Sequence, residues 1–323
     1  MRFGRCAVVM GFVVMWCLLA AAPARAWNET GHMLVAYIAY KHLTPQAREA
    51  VDRLLTLNPD VEAYKATLPP NWDDASRKLA GFMYAATWPD VIKARDGYIS
   101  DGSHNGNRPP PGPEAAQNIG YADKFRHQYW HFIDIPYSTD GSATEPPPVP
   151  NALTQMAILT AALKEPGMSD DIRSYDLVWI EHLVGDLHQP LHTVARFSKA
   201  HPASDDGGNA VSICHAPCRM NLHWFWDGVL GGGGLQEALG VGEQLDALDA
   251  PAGGDVTDVK QWVDEGVDVA KQTVYVDPIG PESPAAAVSI PSRDYRSKAR
   301  RLAEDRAILA GRRLARILND SFK

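Results

Sequence analysis

Apolar side chains recur at intervals of three and four residues along most of the chain, the spacing of helices that bury one face. The pattern predicts helices over about 31–43, 45–57, 72–87, 151–164, 170–189, 221–229, 257–273 and 292–318. Several open on a capping residue followed by proline, as at Thr44-Pro45. Alternation of the strand type is scarce, so the expected fold is mainly α. Polar or Pro/Gly-rich loops begin after positions 97, 137, 197 and 275, and none divides the chain into two self-sufficient halves. Residues 27–323 are expected to form one helical domain with long irregular loops.

The first 26 residues depart from this pattern. Arg2 and Arg5 precede an apolar run that ends in Ala24-Arg25-Ala26, an A-x-A cleavage signal. A signal peptide over residues 1–26, cut before Trp27, is therefore expected, and with it a secreted or periplasmic protein. A signal anchor retained as a transmembrane helix is the alternative. No other segment is long and apolar enough to span a bilayer, so no stable membrane association is expected. Cys6 and Cys17 leave with the signal. Cys214 and Cys218 remain, in CHAPC, where an exported chain by default forms a local disulfide; a metal site that also uses His215 is the alternative.

Charge narrows the function. The formal net charge is −8, and it becomes more negative once Arg2, Arg5 and Arg25 leave. That excludes a broad basic face for nucleic acid; a polyanionic substrate would need local positive charge, which bound cations supply.

The segment EHLVGDLHQPLH, residues 181–192, has the rhythm of a buried helix yet carries three histidines and Asp186. Carboxylates are rarely buried without a partner, and a metal ion can serve several such groups together. His182 and Asp186, four residues apart, lie about 40° apart around a helix and can reach one ion. Pro190 should end the helix and free His192 to point elsewhere. NLHWFWD repeats the four-residue interval with His223 and Asp227. WHFID sets His131 in an aromatic, β-prone stretch with Asp134 three residues on, TWPD places Asp90 just beyond a helix end, and WNETGH puts His32 five residues after Trp27. Each alone has a bland explanation, as a hydrogen-bonded core histidine or a helix-surface pair. Together they are more ligand-type side chains than an apolar core holds without metal.

In this order, WNETGH, TWPD, WHFID, HLVGDLHQPLH, DDGGN and NLHWFWD resemble the zinc-dependent nucleases of the S1/P1 family, relatives of bacterial zinc phospholipase C, and AGRRLARILND resembles the family's closing helix. The resemblance implies three zinc ions in a cleft of a mostly helical fold. Asp90, His131, His182 and Asp186 would hold one; Asp186 would bridge to a second, on His32 and the amino nitrogen and carbonyl oxygen of Trp27; His192, His223 and Asp227 would hold the third. It also implies that Asp90 orients a zinc-activated hydroxide, that Lys93 meets the phosphate, and that Phe132, Asp134 and Asn209 form a base pocket. His188, on another helix face, reads as a core residue or a support for the ligands. The implied substrates are single-stranded DNA, RNA and 3′-nucleotides, cleaved to 5′-phosphorylated products; a monomer is expected. A phosphodiesterase acting on phospholipid and a non-catalytic zinc-binding protein are the competing readings. Asp227 rather than Glu at the last ligand, with DDGGN and the Phe132/Asp134 pair, favours the nuclease.

Overall fold

Most of the helices begin where the sequence supplies a capping oxygen; those over Val61–Ala66, Trp88–Val91 and Gly234–Asp246 do not. The computed structural model describes residues 27–104, 106–217, 219–280 and 288–323; the expected signal peptide and Cys218 of the expected disulfide lie outside the described residues. Helix α1 (Glu29–Lys41) starts behind Asn28, whose side chain accepts from Gly31 N at 3.1 Å. That side chain also donates to the Gly231 carbonyl. Thr44 caps α2 (Pro45–Leu55), with Pro45 in the first turn. The short α3 (Val61–Ala66) leads to α4 (Asp74–Ala85), capped by Asp73, and α5 (Trp88–Val91) follows almost at once. After a long irregular stretch, Asn151 and Thr154 form a reciprocal capping box at α6 (Ala152–Lys164). Ser169 opens α7 (Asp170–Asp186), where Asp170 and Asp171 sit at the positive end of the helix dipole. Then come α8 (Leu222–Asp227), α9 (Gly234–Asp246), α10 (Val259–Val269), which continues as a wider turn over Ala270–Val274, and α11 (Arg293–Ser321).

The expected helices are all present, within a few residues at most ends. Three others are not among them: α3, α5 and α9. Gly234, Gly240 and Gly242 weaken the intrinsic helix preference of α9, which is carried instead by burying Ala238, Gly242 and Leu245 against α1. WHFID is a correction. A 3-10 turn over Gln128–Trp130 precedes His131, and strand β1 (Ile135–Ser138) starts only after the motif. It pairs in parallel with β2 (Val194–Phe197), from Ile135 opposite Val194 to Ser138 opposite Phe197. Just before the pair, Ile133 N donates to His192 O at 2.9 Å, which sets the turn holding His131 beside the turn holding His192.

Helix α7 is the central strut, buried from Ser174 to Asp186, with α1, α2, α5, α6 and α11 packed around it. A continuous apolar core runs from Trp27 to Phe322. Helices α1 and α11 cross closely because Gly311 has no side chain: a Cβ there would lie 2.6 Å from Ile38 and 3.0 Å from the Val35 carbonyl. Among the described residues no helix is long and apolar enough to cross a membrane.

A buried ion cluster anchors the long loop after position 97. The ring of His127 stacks on Trp130 at 3.8 Å, with Nδ1 2.9 Å from Asp101 and Nε2 3.0 Å from Asp123. The Tyr129 hydroxyl donates to Asp101 as well. With a carboxylate on each nitrogen, His127 is held as the imidazolium: burial opposes the charge, but Asp101 and Asp123 raise its pKa above the ordinary value. The charge-dependent stability is therefore full below the unfolded value of about 6.5 and lost as the pH rises through the raised folded value. Asp101, held below its ordinary value, sets the acid limit near pH 4. In thermal melts, the advantage of the native chain over His127→Gln should be greatest between about pH 4 and 6.5 and shrink above that. A pH-independent difference would mean that His127 is neutral.

Candidate metal centre

Five stretches converge at the C-terminal end of α7. Asp186 stands at the centre: Oδ1 is 3.3 Å from His32 Nε2, while Oδ2 is 3.1 Å from His131 Nδ1 and 3.3 Å from His182 Nε2. Asp90, from α5, brings Oδ1 to 3.9 Å from the same two atoms of His131 and His182. His32 stacks on His182 at 3.9 Å between centroids. Beyond the end of α7, His192 Nε2 lies 3.1 Å from His223 Nε2, and Asp227 is 3.9 Å from the first and 3.6 Å from the second. All these side chains are buried. Their ligand atoms form three groups, each within 4.8 Å: His131, His182 and Asp186; His32, Asp90 and His182; His192, His223 and Asp227. The second differs from the expected sharing, because His32 approaches Asp90 and His182 as well as Asp186.

Backbone carbonyls fix how the histidines face. The Nδ1 of His182 lies 2.7 Å from Ala86 O, that of His192 2.7 Å from His131 O, and that of His223 2.7 Å from Gly207 O. A carbonyl only accepts, so each Nδ1 carries the hydrogen and each Nε2 turns a lone pair inward. His192 and His223 thus oppose two lone pairs with no proton to share. Gln189 Nε2 donates to Asp227 Oδ1 at 2.7 Å and holds that carboxylate in place. No hydrogen bond reaches Asp227 Oδ2, Asp186 Oδ1, His131 Nε2 or either ring nitrogen of His32. Buried polar atoms are ordinarily satisfied, so a cluster of such orphans among imidazoles and carboxylates is the donor set of divalent cations. The residues fit metal.

The electrostatics agree. Burial pushes His32 down to about 4 and His131 and His223 to about 3, so their rings are neutral, as ligands must be. Although burial opposes it, Asp186 and Asp90 raise His182. Asp186 stays well below the carboxylate range against burial because His182, His131 and His32 surround it. Asp227 is driven well up by burial, with Asp90 and Asp186 adding to the rise and the Gln189 hydrogen bond opposing it. Lys93 is itself buried and pairs with Asp90 at 2.7 Å, so it is not a solvated lysine at a helix end.

The first described residues close the site. Trp27 is fully buried, and Asn28 N donates to Asp227 O at 3.0 Å, tying this end of the chain to α8. Gly185 leaves the space in which His32 sits: a Cβ there would lie 2.7 Å from His32 Nδ1 and 3.7 Å from Trp27 Cδ1. Gly185→Ala should therefore displace the His32 ring and weaken metal binding by about 10- to 100-fold, while alanine's better helix preference leaves the fold intact. Zinc titration by calorimetry checks this, and unchanged affinity would remove His32 from the ligand set.

Compared with models of known families, residues 27–323 match the one described as S1/P1 nuclease. The chain belongs to the S1/P1 family. It is 26% identical to Endonuclease 2 of Arabidopsis thaliana over 220 residues, 68% of this chain and 61% of that protein. It is 25% identical to Nuclease S1 of Aspergillus oryzae over 222 residues, 65% of this chain and 56% of that protein. The match thus spans less than two thirds of these relatives' length.

In this S1/P1 family member a cavity of about 420 Å³ opens beside β1 and β2, lined by Asp134, Asp206, Arg108, Glu145, His104 and Phe197 among others. Asp134 has a left-handed backbone (φ 60°) and a carboxyl driven well above its usual range by burial and by Asp206 and Asp205. Phe132 packs on the core, and Asn209 accepts from Asn221 at 3.3 Å; neither lines the cavity. His188 is core: Nδ1 donates to Val184 O at 2.7 Å and Nε2 faces Arg313 at 2.9 Å. Sequence reasoning missed Gln189 and the carbonyls of Ala86, His131 and Gly207. Of these only Gln189, between His188 and Pro190, has a side chain that a motif could have flagged.

Proposed function

We propose that the chain is an exported, zinc-dependent phosphodiesterase that cuts single-stranded RNA and DNA to 5′-phosphorylated products and also acts on 3′-nucleotides. The observation that carries this reading is the pair of buried Nε2 atoms on His192 and His223, 3.1 Å apart with both Nδ1 hydrogens already committed, next to the cluster around Asp186. The names of its relatives, endonucleases and Nuclease S1, support the choice of substrate. Three zinc ions are assigned: one to Asp90, His131, His182 and Asp186, one to Trp27, His32 and Asp186, and one to His192, His223 and Asp227. Zinc in such a site lowers the pKa of a water and draws charge from phosphoryl and leaving oxygens.

The chain's own groups position the reaction. Asp90, kept ionised against burial by Lys93 and the histidines, accepts a hydrogen bond from the attacking water and aims its lone pair at phosphorus. Lys93 Nζ, fixed by Asp90, donates to a non-bridging phosphoryl oxygen. Opposite them, His192, His223 and Asp227 mark where the departing 3′ oxygen gathers charge. Phe132, Asp134 and Asn209 take the base. Residues 27–323 act as one domain and one monomer, freed by cleavage before Trp27, with Cys214 paired to Cys218.

The test is metal analysis of the mature protein together with digestion of single-stranded DNA, RNA, duplex DNA and phosphatidylcholine, with the new ends determined. Expected are about three zinc ions per chain and cleavage of single strands, abolished by a chelator and leaving 5′ phosphates. Hydrolysis of phosphatidylcholine without nucleic acid cleavage, or full zinc with no chelator-sensitive hydrolysis, would overturn the reading.

A further inference from the structure

Trp224 stands apart from the other described tryptophans. Trp27, Trp88, Trp130, Trp179, Trp226 and Trp262 are buried and Trp72 is half-buried, whereas Trp224 leaves 56% of its surface open to water. Its backbone is nonetheless held in place. Asn221 caps α8 by accepting the Trp224 N–H at 2.7 Å, and the same Asn221 side chain donates to Asn209 at 3.3 Å. Successive helical residues point about 100° apart. On α8, His223 and Asp227 face the metal centre, while Trp226 hydrogen-bonds to Tyr295 of α11 and Phe225 packs against the same tyrosine. Trp224 occupies the remaining side, one position from His223.

The arrangement recurs. Val91 follows Asp90 and is 36% exposed, and Phe132 follows His131 and is only partly buried. At three ligand-type residues from three different segments the next residue is thus an apolar side chain left at least partly exposed, and Trp224 is the most exposed of the three. The core leaves more than half of that indole uncovered.

We propose that Trp224 is a stacking platform for a nucleobase of the single strand next to the scissile phosphate. The proposal rests on the nuclease reading above. An indole binds any base through its π-face, so the platform favours no sequence; it does favour single strands, because duplex bases are already stacked on one another.

Kinetics on single-stranded oligonucleotides test it, with the zinc-loaded native protein, Trp224→Ala and Trp224→Phe compared side by side. For Trp224→Ala, KM should rise by about 5- to 150-fold, the range of one lost base–aromatic stack, with kcat and zinc content near native. Trp224→Phe, which keeps an aromatic face, should recover most of the loss. KM unchanged in Trp224→Ala at native zinc content would overturn the platform while leaving the nuclease reading intact. So would equal losses of kcat and zinc in both variants, which would assign Trp224 to the integrity of α8. A native protein that cleaves no single strand would remove the nuclease reading and the platform with it.

Discussion

Asp186→Asn should lose more activity and more metal than a change at any other single ligand. Its two carboxylate oxygens touch three histidines from three segments, Oδ1 towards His32 and Oδ2 towards His131 and His182, so one side chain serves two of the ion positions proposed above. Asparagine keeps the shape but removes the charge and turns an N–H donor towards imidazoles that already offer lone pairs. Each ion supplies several kcal/mol of charge stabilisation, and about 1.4 kcal/mol is a factor of ten, so kcat/KM should fall by well over about a hundredfold. Zinc per chain, measured beside His32→Ala, should drop further in Asp186→Asn than in the histidine variant. A variant that kept its zinc and most of its rate would show that Asp186 does not bridge.

A chain begun with a retained methionine before Trp27 should fold yet lack one zinc and most of its activity. The residues around Trp27 leave no slack: the side chain is fully buried, and a Cβ on Gly31 would lie 2.8 Å from Trp27 Cβ. The Asn28 N to Asp227 O bond of 3.0 Å keeps the backbone here beside the centre. In the extended chain the Trp27 nitrogen is an amide, a poor donor to zinc at neutral pH. A free α-amine, with an ordinary pKa of about 7.7 to 8.0, can lose its proton and coordinate. Zinc content and activity, read on protein whose N-terminus has been verified by mass, should both fall, activity by at least about tenfold. Full occupancy with the methionine in place would take Trp27 out of the site.

Side-chain periodicity made the frame legible. The His182/Asp186 and His223/Asp227 pairs were visible because a helix brings residues four apart to one face, and α7 and α8 are helices there. The aromatics of WHFID suggest a strand around His131, but the segment is a turn held to the His192 turn by a long-range backbone bond. Helix α9 was illegible because tertiary burial overrides its glycines. What aims the ligands was also out of reach. Ala86, His131 and Gly207 do this through their carbonyls, which every residue carries, so no residue type marks them. The acidic cavity escaped because its members meet only after loops far apart in sequence have folded back, and the Asp101–His127–Asp123 cluster because His127 and Asp123, although four residues apart, lie in an irregular segment where that spacing carries no helical meaning.

The ligand-type atoms come from stretches between His32 and Asp227 that join α1, α5, α7 and α8 to one another and to the His131 turn. Ions binding such a set tie the molecule together as cross-links would, but reversibly and at a strength set by their surroundings. With free ion at about a thousand times its dissociation constant, one such site adds about 4 kcal/mol to the folding free energy, comparable with a large share of a typical domain's stability. The melting temperature then becomes a gauge of the free ion in the medium. An environment poor in that ion would shorten the protein's lifetime among proteases.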